Sequence, residues 1–241
     1  MSNNVLIATL FSDVKDYVIK DWFKNVCKFT YPFDLCLVDN SKDKKYHKKM
    51  FKYFSERKKN SNIGKLTVLH TPRVHKKAEI FLAFSANELR KHFLRHGYPW
   101  FFNLECDIFP PTDIIERLLS YNQQIIGCTY FTDKGRSSRP MLIDVALHKN
   151  YTPVSVSYLE GFYKMKDYTI PQNIFMQGLG AVLIYKDILQ KIPFEADKNG
   201  ITYYDTVFYK ELFKQNIQNK FVPIMCRHEN RTWDIQNKLI A

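Results

Sequence analysis

The chain has 241 residues, with 36 Lys and Arg against 24 Asp and Glu, a formal charge of +12. That length suits one large domain with a bulky core drawn from 19 Phe and 15 Tyr, and no internal repeat, low-complexity tract or linker divides it. No window reaches the length of a membrane-spanning helix, and the apolar run Val5–Phe11 is too short for a signal sequence and is closed by Asp13.

The charge invites a nucleic-acid reading, because phosphate backbones attract basic surfaces. The aromatics, however, fall inside strand and helix patterns and leave no exposed stacking platform. No nucleic-acid partner is therefore expected. A basic surface equally suits nucleotide phosphates or the anionic face of a membrane. The five cysteines (27, 36, 106, 128 and 226) are scattered, odd in number and without a Cys-x-x-Cys pair. Buried free thiols in a reducing, cytoplasmic setting are the expectation.

In chain order, Val5–Phe11 reads as a buried first strand. Val14, Val18, Trp22, Val26 and Phe29 recur at helical spacing and predict an amphipathic helix. Residues 33–38 form a second strand that ends in Asp39-Asn40-Ser41. Tyr46, Met50 and Phe54, four residues apart, give the basic stretch 42–59 a narrow apolar helical face. Residues 66–70 make a third strand. The longest helical pattern runs over Ala78–His96, with Gly97 as its C-terminal cap. Trp100–Leu104 is a fourth strand, Thr112 or Asp113 caps a short helix through Ser120, and residues 124–130 make a fifth strand. This alternation predicts an α/β fold, a mostly parallel central sheet with helices on both faces.

The second half is less regular. Residues 132–139 form a polar loop carrying Arg136 and Arg139, and residues 141–170 read as short strands and turns. Gln177-Gly178-Leu179-Gly180 then precedes an apolar strand, Ala181–Tyr185, and a short helix, Lys186–Lys191. Tyr204-Asp205-Thr206 opens another helix, and a late strand over 221–226 runs into Arg227-His228-Glu229.

The densest chemical signal closes the fourth strand, where Leu104 is followed by Glu105-Cys106-Asp107. In an extended strand side chains alternate faces, so Glu105 and Asp107 point one way and Cys106 the other. Two carboxylates that close repel each other unless a cation lies between them. Hard divalent cations take oxygen ligands and keep positions open for substrate phosphates. The pair therefore points to a Mn²⁺ or Mg²⁺ site awaiting a phosphorylated ligand; the competing reading is a strand end turning polar at solvent.

Together these patterns resemble the nucleotide-sugar-dependent glycosyltransferases of the GT-A fold. The features that carry the resemblance are the first strand and its helix, the second strand ending in Asp39, and the acid-x-acid turn near residue one hundred. The Gly178-Leu179-Gly180 segment, Asp205 at a helix start and the late His228 complete it. The resemblance implies one GT-A-like domain over 1–241, with a nucleotide-binding half to about residue 130 and an irregular acceptor-side half beyond it. It implies hexosyl transfer from a UDP- or GDP-linked sugar to a glycan, lipid-linked or protein acceptor, with peripheral membrane contact as a possible setting. Glu105 departs from the family's Asp-x-Asp by one methylene.

On that reading Glu105, Asp107 and His228 hold the metal. Thr9, Phe11 and Asp39 meet the nucleoside, Arg136 closes over the diphosphate, and Gly178 and Gly180 let backbone approach the sugar. Asp205 removes the acceptor proton. Each has a plain structural alternative: Asp205 as a helix N-cap, Asp39 as turn chemistry, His228 as a solvated tail residue. Two other functions compete. A sugar nucleotidyltransferase also pairs carboxylates around Mg²⁺, but Phe11-Ser-Asp-Val-Lys15 lacks the glycines its phosphate loop requires. A non-catalytic basic nucleotide- or nucleic-acid-binding protein would keep the charge without the site.

Overall fold

A computed structural model of the chain describes residues 4–73, 77–132, 139–140, 142–143, 171–197 and 199–229. Strands β1 (Val5–Phe11), β2 (Phe33–Asp39), β3 (Ile63–His70) and β4 (Trp100–Leu104) run parallel, in the order β3, β2, β1, β4. Every residue of β2 is buried and all but one of β1, as a parallel sheet covered on both faces demands. Beyond β4 lie β12 (Ala181–Tyr185), β6 (Ile125–Thr129), β13 (Lys220–Met225) and β10 (Gln172–Asn173), completing eight strands.

Two apolar layers sandwich the sheet. On one face α1 (Ile19–Val26) buries Trp22, Phe23 and Val26, α2 (Lys44–Arg57) buries Met50 and Phe54, and α4 (Ile114–Ser120) buries Ile114, Ile115 and Leu118. On the other, α3 (Ala78–His96) contributes Ala86, Leu89 and Phe93, α5 (Lys186–Lys191) Ile188 and Leu189, and α6 (Tyr204–Lys214) Phe208, Tyr209 and Leu212. Gly97 ends α3 at φ 74°, a left-handed conformation that an L side chain resists. All five cysteines are free thiols and four are buried, with Cys128 and Cys226 3.2 Å apart at sulfur.

The structure departs from the sequence expectations in three places. The helix expected from Val14 to Phe29 begins instead as a short 3-10 turn, Asp13–Lys15, and Val14 is 55% exposed. Its apolar spacing is met by the regular helix only from Ile19 onward. Asp113 stands at the N-cap of α4, yet its side chain makes no capping bond. Glu105 and Asp107 do not continue β4 as an extended strand: the Ile108 amide bonds back to the Glu105 carbonyl at 3.1 Å, which makes 105–108 a turn. The mostly parallel sheet is as expected, and within it β12 runs antiparallel to both β4 and β6, a direction that the sequence leaves open.

That reversal positions the site. Because β12 runs against β4, its first residues lie at the carboxyl end of β4, with Ala181 opposite Leu104. The Glu105 amide donates to the Gly180 carbonyl at 2.9 Å and extends the ladder by one rung. A second small pairing, absent from the sequence reading, joins β5 (Ile108–Phe109) to β14 (Arg227–His228), with His228 opposite Ile108. The Glu229 amide then donates to the Asp107 carbonyl at 2.9 Å. Two later segments, one at Gly180 and one ending at Glu229, are thereby stitched to the acidic turn.

Candidate functional site

A pocket of about 440 Å³ opens at the carboxyl ends of β1 and β4, where open α/β sheets place their ligands. Glu105, Asp107, Asp205, His228 and Phe11 all line it, together with Lys15, Asn40, Arg73, Tyr130 and Tyr204. Five residues chosen from distant parts of the sequence thus meet in one cavity.

Asp107 is its electrostatic centre. Its side chain is 6% exposed, and Oδ2 lies 2.5 Å from Lys15 Nζ and 3.6 Å from His228 Nε2. Burial alone would raise this carboxyl, but the nearby His228 imidazole and the Lys15 ammonium outweigh it and hold Asp107 below its ordinary value. Lys15 responds in kind: burial would lower it, and the Asp107 carboxylate raises it overall. Glu105 behaves in the opposite way. Burial first, and then the neighbouring Asp107 charge, lift it to about 7. One acid is therefore held ionised and the other sits near neutrality.

Asp205 lies in the first turn of α6, one residue inside the helix rather than at its N-cap, which is Tyr203. Its Oδ1 accepts from the Thr206 amide at 2.6 Å. Burial raises its carboxyl above the usual value. Tyr130 stacks edge-on against His228 with ring centroids 5.2 Å apart. Its hydroxyl accepts from the Gly180 amide at 3.2 Å. A Cβ on Gly180 would come within 2.6 Å of the Tyr130 ring, so this glycine is required for the approach. Gly180 thus serves the site by seating Tyr130 and Glu105, without lining the cavity.

Other residues singled out from the sequence stand behind the pocket. Asp39 is fully buried: Oδ1 accepts from the Ser41 amide at 2.8 Å and Oδ2 lies 3.4 Å from His47 Nδ1. Ser41 Oγ in turn accepts from the Asp13 amide at 2.8 Å, at the start of the turn that carries Lys15. Asp39 therefore shapes the floor, while its neighbour Asn40 reaches the cavity. Thr9 is 1% exposed and away from the lining, and its hydroxyl has no hydrogen-bond partner among the described residues. Phe11 packs its ring edge-on against Phe54 at 5.6 Å, so core packing holds it at the rim. Gly178 is buried outside the lining, and Arg136 lies outside the described residues.

Lys15, Tyr130 and Tyr204 are pocket residues that sequence reasoning missed. Tyr130 follows directly on β6, a position at which strand-end residues reach the ligand edge of the sheet. Lys15, four residues beyond β1, carries no comparable mark among so many lysines.

Among the described residues no three His, Cys, Asp or Glu side chains are gathered as a ready-made ligand shell. Asp107 and His228 nevertheless fit a divalent ion. Two atoms bound to one ion at about 2.1 Å lie no more than about 4.2 Å apart, and the 3.6 Å between Oδ2 and Nε2 falls within that reach. A carboxylate oxygen and an imidazole nitrogen suit Mn²⁺ better than the oxygen-seeking Mg²⁺, with the remaining positions left to water and phosphate.

No family model matches the chain, and no curated protein matches it in sequence. Its structure is similar to a mannosyltransferase, PcManGT from Pyrobaculum calidifontis, solved in complex with GDP-Man and Mn²⁺. That match has a TM-score of 0.61 at 12% identity over 98% of this chain and 61% of that one. It is likewise similar to TarS from S. aureus, with a TM-score of 0.59 at 10% identity over 98% of this chain and 38% of TarS. A TarS fragment, residues 1–349, solved in complex with UDP, gives 0.58 at 10% identity over 96% of this chain and 59% of the fragment. The chain spans between about two fifths and three fifths of these proteins. At such identities the likeness is one of fold, and the fold is of the GT-A type.

Proposed function

We propose that the chain is a metal-assisted glycosyltransferase that moves a hexosyl group from a nucleoside diphosphate sugar to an acceptor hydroxyl. The observation that carries this reading is the convergence of Glu105, Asp107, Asp205 and His228 in one pocket at the carboxyl edge of a GT-A-type sheet. That the fold neighbours were solved with GDP-Man and Mn²⁺ and with UDP supports a donor of that class.

The chemistry asks for three things: neutralisation of the leaving diphosphate, a donor held beside the acceptor, and removal of the acceptor proton. Asp107 and His228 would hold a Mn²⁺ or Mg²⁺ ion, which when bound supplies positive charge to the diphosphate. Glu105, with its carboxyl raised to about 7, assists through water or the donor ribose. Asn40 and Phe11 border the nucleoside side, with Asp39 and Thr9 supporting them from below. Arg136 is assigned to the diphosphate and Gly178 and Gly180 to the sugar side. Asp205, half-buried and with its carboxyl raised, is the base, since a carboxylate nearer to neutrality accepts a proton more readily. The acceptor, whether glycan, lipid-linked or protein, falls to the half beyond about residue 130. The free thiols support a cytoplasmic setting, and among the described residues no helix is long and apolar enough to cross a membrane.

A thermal-shift panel of UDP, GDP and their common sugars, each with Mn²⁺ or with chelator, tests the reading. We expect one nucleotide class to raise Tm with Mn²⁺ and to lose that effect with chelator. If no donor shifts Tm under either condition, the glycosyltransferase reading fails and a non-catalytic binder takes its place.

A further inference from the structure

Lys15 and a divalent ion want the same atom. The ammonium lies 2.5 Å from Asp107 Oδ2, and the imidazole that would share the ion with Asp107 is 3.6 Å from that same oxygen. The contact joins residues 92 apart in sequence and is largely shielded from water, with the two side chains 23% and 6% exposed. It is also held on both sides. The turn bearing Lys15 is fixed by Ser41 Oγ at the Asp13 amide, and the Asp107 backbone is fixed by the Glu229 amide. The neighbouring acids, Glu105 and Asp205, line the same cavity but make no ion pair with Lys15.

An ion bound to Asp107 would bring two positive charges to within a few ångströms of the ammonium, and like charges so close in a shielded site repel strongly. Lys15 must then leave the carboxylate. It has the means: it ends a three-residue 3-10 turn whose other members, Asp13 and Val14, are exposed, and its four-carbon stem faces a pocket with room for it.

We propose that Lys15 is the resident counter-ion of Asp107, which a divalent ion must displace into the donor pocket in order to bind. The inference rests on the metal-assisted reading above and adds to it a residue and an exchange. Because the two cations compete, Lys15 neutralises Asp107 whenever the metal is absent, and an ammonium released by the metal would come free where a diphosphate would lie. Metal affinity in the absence of nucleotide is correspondingly reduced.

The test is Mn²⁺ binding alone, followed by electron paramagnetic resonance or calorimetry without nucleotide, on the wild type, Lys15→Met and Arg73→Met. Arg73 lines the same pocket with its guanidinium over the Phe81 ring, so its removal takes away a positive charge but not the competitor at Asp107. Lys15→Met is expected to bind Mn²⁺ on the order of tenfold more tightly, equivalent to about 1.4 kcal/mol, and Arg73→Met, which removes a pocket charge but leaves the competitor on Asp107, to gain much less. Equal or weaker binding by Lys15→Met would overturn the exchange while leaving the metal site standing. No Mn²⁺ binding by any of the three proteins would overturn both the exchange and the metal-assisted reading. A measurement on the unaltered protein guards against a variant that fails to fold. Acylation of the Lys15 amine, read by mass spectrometry, should rise several-fold when Mn²⁺ is added, and unchanged labelling would count against the exchange.

Discussion

At the scale of single residues, one cavity assigns different work to acids of the same chemical type. Asp107 is kept ionised by His228 and Lys15, whereas burial raises both Glu105 and Asp205. Environments that drive titratable groups apart are how one site carries both electrostatic and proton-transfer roles. Asp205→Asn preserves shape and removes the carboxylate proposed as the base. It is expected to keep the nucleotide- and Mn²⁺-dependent rise in Tm while transfer falls by roughly 10²- to 10⁴-fold. Full transfer by a protein that still binds donor would remove Asp205 from the mechanism. The acid pair was legible in the sequence because two carboxylates closing an apolar strand are conspicuous. Lys15 was not, since a lysine in a lysine-rich chain becomes distinctive only when folding sets it on a buried carboxylate. Asp39 was legible as important but not for its place: strand periodicity reports which residues are buried, not whether a carboxylate at a strand end faces a ligand or its own loop.

At the scale of elements, the strands β1, β4 and β12 and the helix α3 were readable to the residue because each is an apolar or periodic run, and the short helix α5 because it follows directly on β12. The direction of β12 was not readable. An apolar strand has the same sequence signature parallel or antiparallel, and direction depends on which end of the sheet the preceding chain enters. The two-residue strands β5 and β14 were beyond reach for a related reason, since pieces so short have no periodicity and exist through pairing alone. Gly180 shows what the reversal costs and secures. Gly180→Ala drives a Cβ into the Tyr130 ring and is expected to destabilise the protein by about 1–3 kcal/mol in urea denaturation. Combined with Tyr130→Ala, which empties the contested space, the loss should be smaller than the sum of the two single losses. A strictly additive double variant would show that the close approach is not what the glycine provides.

At the scale of the whole molecule, the charge of +12 has to be placed before it is given a function. Much of it lies on and around α2, where Lys44, Lys45, Lys48, Lys49 and Lys52 are exposed, and no residue of that helix lines the pocket. Charge spread over a solvated face raises the local concentration of any polyanion without distinguishing one from another, and its effect decays within a Debye length of about 8 Å at physiological salt. The pocket-lining cations Lys15 and Arg73 belong to a separate population, set where the phosphates of the proposed donor would lie. Lys44→Gln, Lys45→Gln and Lys48→Gln combined should therefore leave both the melting temperature and its nucleotide-dependent rise unchanged, because surface substitutions of this kind each cost no more than about 0.5 kcal/mol. The same variant should leave a heparin column at distinctly lower salt than the wild type. If the nucleotide response instead collapsed with the heparin affinity, the basic face would be part of donor capture, and the division of the charge into surface and site populations would be wrong.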